Sequence, residues 1–249
     1  MHSNAGIHPS SLGSGFFIAQ AIPGLKGNGP LRIHEKYELE VIPIGVGGKR
    51  LELYGVGNWD RFIQHLERKG LGDLSDFPFW IKFWEASFVL AEYLLSLRLD
   101  TASKILEIGA SMGVVGLFLG AFGYPVTITD YDEDVLDLLR TNVSRNRIDT
   151  VSVRKLDWLK PDLDTSYDVI CGSEVIYKEV FFDPLLDMFQ SCLRPTGRIV
   201  LAHNIQHRCI IRYIDTLPSR YDIHTQTKTL RNPQQTHRIL LHELRLRVG

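Results

Sequence analysis

The chain has 249 residues, 44% of them hydrophobic, and carries 28 Lys and Arg against 29 Asp and Glu, a formal net charge of −1. That composition supports a sizeable core and excludes an intrinsically disordered chain. The near-neutral balance gives no drive toward nucleic acid or a membrane surface, so neither is expected as a partner. The length suits one large α/β domain or two small ones. Three cysteines, Cys171, Cys192 and Cys209, form no C-x-x-C pair. Two fall in apolar runs, so buried thiols in a reducing compartment are expected. The apolar piece "GFFIAQAI" near the start is short, contains Gln20 and follows no cationic segment. It makes a poor signal peptide, no run is long enough to span a bilayer, and a soluble cytoplasmic protein is expected.

The first thirty residues are rich in Gly, Ser, Asn and Pro and read as loop or tail. In "YELEVIPIGVGGKRLELYGVG", Tyr37, Leu39 and Val41 alternate with Glu38 and Glu40, "GVGGK" makes a turn, and Leu51 and Leu53 alternate again. That pattern predicts a β-hairpin. "NWDRFIQHLERKG" predicts a short helix, with Asn58 or Asp60 as N-cap and Gly70 as its stop. "DFPFWIKFWEASFVLAEYLLSL" predicts a longer helix, because Phe79, Phe83, Leu90 and Leu94 lie at helical spacing.

From Lys104 strands and helices alternate. The predicted series is strand "KILEIG", helix "VVGLFLGAFG", strand "PVTITD", helix "DEDVLDLLRTNVSRN", strand "VSVRKLD", strand "YDVICGSE", helix "FFDPLLDMFQSCL", turn "RPTG", strand "RIVLAHN" and helix "RCIIRYIDTL". Two alternating strands, "YDIHTQTKTL" and "HRILLHELRLR", close the chain as a hairpin. Repeated βα units imply a doubly wound, mostly parallel sheet with helices on both faces, finished by an antiparallel pair. The expected organisation is an extension over residues 1–75, holding the N-terminal hairpin and short helix, and one α/β domain over residues 76–249.

The turn after the first α/β strand raises a chemical question. In "KILEIGASMG", Glu107 sits two residues before Gly109, with Ser111 and Gly113 following. Ligands of open α/β sheets bind at such turns. A dinucleotide site wants G-x-G-x-x-G, and here the middle glycine is missing and the spacing is off. A carboxylate beside the turn repels a pyrophosphate and suits a ligand with a cationic end. S-adenosylmethionine has an ammonium, a sulfonium and no phosphate. The plain alternative is a tight βα turn with an incidental acid. The second strand ends in Asp130, where a ribose-binding acid is expected, and Asp132 is free to cap the next helix in its place. Tyr131 is a candidate to lie against the adenine. Asp157 is a candidate acceptor for the adenine amino group, and Trp158 a candidate packing surface for the ring.

These segments, "ILEIGASMG", "TITDYD", "KLDW" and "DVICGSEVIY", resemble the successive motifs of class I, seven-β-strand S-adenosylmethionine-dependent methyltransferases. The resemblance covers roughly Phe79 to the C-terminus. It is nearest to the protein-lysine methyltransferase branch, which has a tryptophan-bearing helix before the first motif, as in "FWEASFVLAEYLL", and a D-x-x-Y element after the fourth strand. Glu174 and Tyr177 match that element here, with Glu in place of the commoner Asp. The resemblance implies a Rossmann-like seven-stranded sheet and S-adenosylmethionine as cofactor, with S-adenosylhomocysteine as product. It implies a cofactor site that includes Trp84, Glu107, Gly109, Ser111, Gly113, Asp130, Tyr131, Asp157, Trp158 and Ser173. Glu174 and Tyr177 would orient an incoming amine and help deprotonate it.

The acceptor stays open at this point between a protein lysine and a small molecule methylated on N or O. A binding module without turnover is a further alternative. "SEVIY" lacks the N-P-P-[YF] signature of glutamine and adenine N-methyltransferases. His203 and His207, four apart in "HNIQH", lack a third ligand, so no metal site is expected, and His203 reads as a polar residue on the cleft rim.

Overall fold

The structure is a computed structural model that describes residues 39–56, 62–64, 68, 79–231 and 235–247. Tyr37, Asn58, Asp60, Gly70 and the first thirty residues lie outside the described residues. Residues 62–64 and 68 are helical, within the segment where a short helix is predicted.

Strands β1 (Glu40–Val46) and β2 (Lys49–Gly55) form a two-stranded antiparallel sheet. Gly47 and Gly48 have φ of 58° and 84° and close the hairpin. Two consecutive left-handed residues are what a tight hairpin with the native strand twist requires. Helix α1 spans Glu85–Ser96. Then come β3 (Ile105–Glu107), α2 (Val114–Ala121), β4 (Val126–Asp130), α3 (Glu133–Arg145) and β5 (Val151–Lys155). β6 (Tyr167–Ser173), α4 (Phe182–Cys192), β7 (Leu193–Asn204), α5 (Arg208–Thr216), β8 (Tyr221–Arg231) and β9 (Thr236–Leu246) complete the chain.

Seven strands form one sheet in the order β5-β4-β3-β6-β7-β9-β8. The chain winds outward from β3 to β5, then restarts at β6 beside β3. β9 runs antiparallel to both of its neighbours. The strand order therefore reverses between β3 and β6, and the crevice at their carboxyl ends is where ligands of this architecture bind.

Period-two alternation assigns the two faces of the sheet. Ile105, Ile128, Cys171, Val200 and Ala202 pack with Leu90 and Leu94 of α1, Val115 and Phe118 of α2, and Val135 and Leu139 of α3. Leu106, Ile108, Ile170, Ile199 and Leu201 pack on the other face with Met188 and Phe189 of α4 and Ile210 and Tyr213 of α5. Both faces are covered, which explains the near-continuous apolar runs of the parallel strands.

The hairpin is knit into the first of these cores rather than merely attached. Ile44 and Leu53 are fully buried in the same cluster as α1 and α2. Helix α3 also meets β2 with two asparagines one turn apart. Asn142 Oδ1 accepts from Tyr54 N at 2.9 Å, and Asn146 exchanges two bonds of 2.9 Å with the Glu52 backbone. These side chains satisfy N–H groups that β2 leaves unpaired by the sheet, an accounting every buried backbone group demands.

Two predictions differ by more than a residue or two at an element end. The helix expected over residues 76–97 starts at Glu85, because Phe79–Ile81 is a 3₁₀ turn and Trp84 is extended, with ψ of 134°; residues 76–78 lie outside the described residues. Ile81 is fully buried, and the Ser111 hydroxyl donates to the Trp80 carbonyl. The segment is thus pinned to the glycine turn, which stops it from continuing as helix. "RPTG" is not a turn between elements but a bulge inside β7: Tyr167 pairs with Leu193, and pairing resumes at Val169 with Arg198.

Helix α2 lies very close to the sheet. Its Gly116 and Gly120 are one turn apart, and a Cβ at either meets strand or loop side chains at once, Ile128 and Glu107 at Gly116 and Val151 and Ile148 at Gly120. Gly116→Ala is expected to destabilise the protein by about 1–3 kcal/mol through overpacking. Denaturant unfolding of the two proteins checks this, and equal midpoints would show that the helix–sheet distance is not set there.

Candidate active site

The site is built on two adjacent strand ends. At the first, β3 runs into Ile108-Gly109-Ala110-Ser111-Met112-Gly113, where Gly109, Ser111 and Gly113 all have left-handed backbone, with φ of 57°, 54° and 75°. Glycine tolerates that region freely. Ser111 does not, and it is held there by two bonds. Its N–H donates to Asp130 Oδ2 at 3.0 Å, and its hydroxyl donates to the Trp80 carbonyl. Asp130 Oδ1 accepts from Tyr131 N and Asp132 N at 2.8 and 3.2 Å. Asp132 itself caps α3, accepting from Asp134 N and Val135 N, so Asp130 is not needed as the cap.

Glu107 lies beneath this turn, not at its open side. Its Oε2 accepts from Gly116 N at 2.8 Å. It thereby satisfies one of the orphan N–H groups in the first turn of α2, whose own N-cap, Gly113, offers no side chain. Burial, only partly offset by that bond and reinforced by the nearby Asp130 charge, pushes the Glu107 carboxyl up to about 8. Burial also raises Asp130. The carboxylate expected beside the turn is thus a buried acid that mostly holds its proton near neutrality and braces the turn from below. Gly109 is likewise not bordered by open space alone. A Cβ there meets Val175 and Trp158.

The remaining cofactor candidates spread along the same edge. Asp157 Oδ1 accepts from Leu159 N at 2.9 Å and shapes the loop after β5. Trp158 packs edge-on against Phe181 with centroids 5.3 Å apart, and Tyr177 completes an aromatic trio at 5.5 Å from Phe181 and 6.4 Å from Trp158. Ser173 Oγ is 2.7 Å from Ser87 Oγ, which ties the end of β6 to α1. Trp84 precedes α1 with the Lys82 ammonium 4.6 Å over its ring. Tyr131 stands apart. It is 65% exposed, with the Lys155 ammonium 5.3 Å over its ring.

The second strand end carries Glu174 and Tyr177. Glu174 has φ of 56°, a left-handed conformation that costs a non-glycine residue about 1 kcal/mol or more and persists only when its surroundings impose it. Those surroundings belong to β7. Glu174 N donates to the Ala202 carbonyl at 2.9 Å. Asn204 N donates to Glu174 Oε1 at 2.8 Å, and Glu174 Oε2 is 2.6 Å from His207 Nδ1. Ile176 N donates to His203 Nε2 at 3.0 Å. His203 is fully buried, not on the rim as its sequence position suggested. Burial, with His242 and His207 nearby, holds it well below the usual imidazole range. Its neutral ring accepts at Nε2, so its proton is on Nδ1.

Tyr177 is half exposed, and its phenol is raised first by burial and then by the Asp130 charge. Trp158 links the two strand ends: its ring borders Gly109 on one side and lies 6.4 Å from the Tyr177 ring on the other. His203 and His207 do not form a metal pair, and no cluster of three His, Cys, Asp or Glu suited to a metal occurs among the described residues. Sequence reasoning missed the partnership of His207 with Glu174. The signal that reveals it is positional: an acid just past one parallel strand and a histidine just past the adjacent one.

Comparison with known proteins points the same way. A family described as lysine methyltransferase matches residues 79–220, more than half of the chain. Protein N-lysine methyltransferase METTL21A of Xenopus tropicalis is 34% identical over 130 residues, 50% of this chain and 60% of that protein. EEF1A lysine methyltransferase 3 of Mus musculus is 30% identical, over 50% of this chain and 56% of that protein. The chain thus spans little more than half the length of these relatives. Among solved structures, a precorrin-6y C5,15-methyltransferase from Geobacter metallireducens shares the fold, with a TM-score of 0.54 at 15% identity over 64% of this chain and 88% of that one. A left-handed glycine turn over buried carboxyls, a Glu-x-x-Tyr element on the neighbouring strand and a family match that spans both have one common meaning: the chain belongs to the lysine methyltransferase family.

Proposed function

We propose that the chain transfers a methyl group from S-adenosylmethionine to a lysine amine of a protein. The observation that carries this reading is the pairing, in one cleft, of an acid-lined turn suited to a cationic, phosphate-free ligand with the Glu174–Tyr177 element on the next strand. The family match and the names of the lysine-modifying relatives support the acceptor.

The residues present fit the cofactor. The acids at the turn are Asp130 and Asp157 at its edge and Glu107 buried beneath it, a set that suits hydroxyls and disfavours phosphate. Gly109 is half-buried at the turn beside Trp158, and Trp158 and Tyr131 are candidate packing surfaces for an aromatic base. When bound, the cofactor supplies an electrophilic methyl on a sulfonium. The chain's own residues then have three tasks. Trp158, Tyr177 and Phe181 wall the cleft and exclude water. Tyr177 offers a phenol oxygen that fixes the direction of the incoming nitrogen. Glu174, locked by β7, keeps negative charge beside it. Alignment of this kind supplies much of the rate in a displacement reaction.

A methyl-labelling assay on a lysate of the source cells, with protein and small-molecule fractions counted separately, tests the function directly. Label in a protein band, on lysine by mass spectrometry, is the expected result. Label confined to small molecules would replace the protein acceptor with a metabolite.

Ligand binding should carry a proton signature. Glu107 mostly holds its proton at pH 7 because its carboxyl is pushed up to about 8. A cationic ligand end nearby lowers that value, so binding of S-adenosylhomocysteine at pH 7 is expected to release protons. Calorimetry in buffers of different ionisation enthalpy reads this as a slope. Asp130→Ala, which removes an acceptor for the ribose and for Ser111 N, should weaken binding by roughly 1.5–3 kcal/mol. Binding of NAD, or an unchanged affinity in the variant, counts against the site.

The acceptor side should separate from the cofactor side. Tyr177→Phe and Glu174→Gln are expected to leave S-adenosylhomocysteine affinity within about twofold while lowering single-turnover transfer roughly tenfold or more, about 1.4 kcal/mol. Loss of cofactor binding in both variants would make the pair part of the cofactor pocket instead.

A further inference from the structure

We propose that His207 takes the proton from the acceptor's ammonium, with Glu174 as the positioning residue that fixes its ring. The inference rests on the amine acceptor proposed above and adds a residue to it.

A lysine side chain arrives as an ammonium at neutral pH and cannot attack until it loses a proton. Glu174 is poorly placed to accept that proton itself. Both of its oxygens already have partners, Asn204 N and His207 Nδ1, and its side chain is only 10% exposed. His207 is 44% exposed. Its Nδ1 is engaged by a carboxylate at 2.6 Å, which places the ring proton on that nitrogen and leaves the lone pair on Nε2. The contact has no capping explanation. His207 occupies the N-cap of α5, yet its side chain makes no capping bond to that helix. The ring is turned instead to a carboxylate 33 residues earlier, on the element that carries Tyr177.

The charged surroundings suit a base that works near neutrality. The hydrogen bond and charge of Glu174, at the end of β6, raise the imidazole above its ordinary value. Burial and the Lys82 ammonium, from the segment before α1, oppose this. His203, from β7, is the other titratable neighbour, and burial keeps it neutral. A base with a pKa near the working pH is the efficient choice for such a transfer. The step is balanced. An ammonium N–H bond breaks, an Nε2–H bond forms, and the amine keeps its lone pair. The imidazolium sits against the Glu174 carboxylate, and the proton leaves to water from the half-exposed ring.

The test uses the full chain and, as acceptor, the protein fraction labelled in the lysate assay. Single-turnover transfer by the wild type should rise with pH through a midpoint above 6.5. His207→Asn should lower the rate at pH 7.5 roughly 100-fold. It should also lose that midpoint and recover toward wild type as pH approaches the amine's own value, about 10.4. A His207→Asn variant within twofold of wild type, or with an unchanged pH profile, overturns the proposal while leaving the methyltransferase reading intact. If the wild type labels no protein, that reading falls and this proposal with it. An independent measurement on the intact protein is the NMR titration of the His207 ring. A midpoint that falls in Glu174→Gln supports the pairing, and a ring that does not titrate between pH 5.5 and 8.5 overturns it, whether or not His207→Asn folds.

Discussion

The hydrogen bond from Gly116 N to Glu107 Oε2 joins the end of β3 to the first turn of α2, and the glycine turn hangs between those two points. The bond requires that residue 116 lack a Cβ, since a methyl group there would occupy the space of the carboxyl. It also requires a side chain long enough to reach under six residues of loop. Asp130 adds the second brace from β4, through Ser111 N. With both ends and the middle fixed, left-handed backbone at Gly109, Ser111 and Gly113 becomes the low-energy path. The cost of burying two acids is offset by satisfying N–H groups that a helix start and a strained turn would otherwise leave open. The backbone path of the turn is thereby fixed by the chain's own hydrogen bonds.

The other half of the cleft follows the same logic with a different element. β6 ends beside β7, so residues past β6 can borrow β7's free groups. Ala202 O, Asn204 N and His203 Nε2 each hold one point of the segment from Glu174 to Ile176. Parallel neighbours from adjacent βαβ units make this possible, because their carboxyl ends lie side by side. Tyr177 then emerges from a clamped segment, not from a free loop, and packs with Trp158 and Phe181.

The fold was legible because its signals are local and repeated. Strand–helix alternation from Lys104 onward, the N-cap at Asp132 and the glycine pair of the hairpin all follow from neighbours in sequence. Errors fell where a distant contact overrides local preference. Phe79 to Trp84 has helical spacing, yet the buried Ile81 and the Ser111 bond hold it out of the helix. "RPTG" has turn chemistry, yet it is absorbed as a bulge because Leu193 already pairs with Tyr167. Of the residues named from motifs, Asp130 holds Ser111 and Trp158 neighbours Tyr177, while Tyr131 is turned outward. What the motif could not convey is where side chains point. Glu107 read as an acid beside the turn and lies buried beneath it, bonded to Gly116 N. His203 and His207 looked like a pair because they are four residues apart. One is buried under Ile176 and the other belongs to Glu174. Spacing along a chain says little about a strand that ends between two histidines, since the first keeps the pleat and the second follows the turn.

His203 has a consequence for the whole protein in acid. Its Nε2 can hold the Ile176 N–H or a proton, never both. In the unfolded chain the imidazole is ordinary and takes up a proton below about 6.5. In the folded protein burial depresses that uptake. The stability it supports is therefore complete above 6.5 and drains away as pH falls, by up to about 1.4 kcal/mol for each pH unit between the two values. His242, also depressed by burial, drains in the same direction. Acid thus attacks the clamp on the Glu174 segment through the fold itself, from a ring with almost no access to solvent.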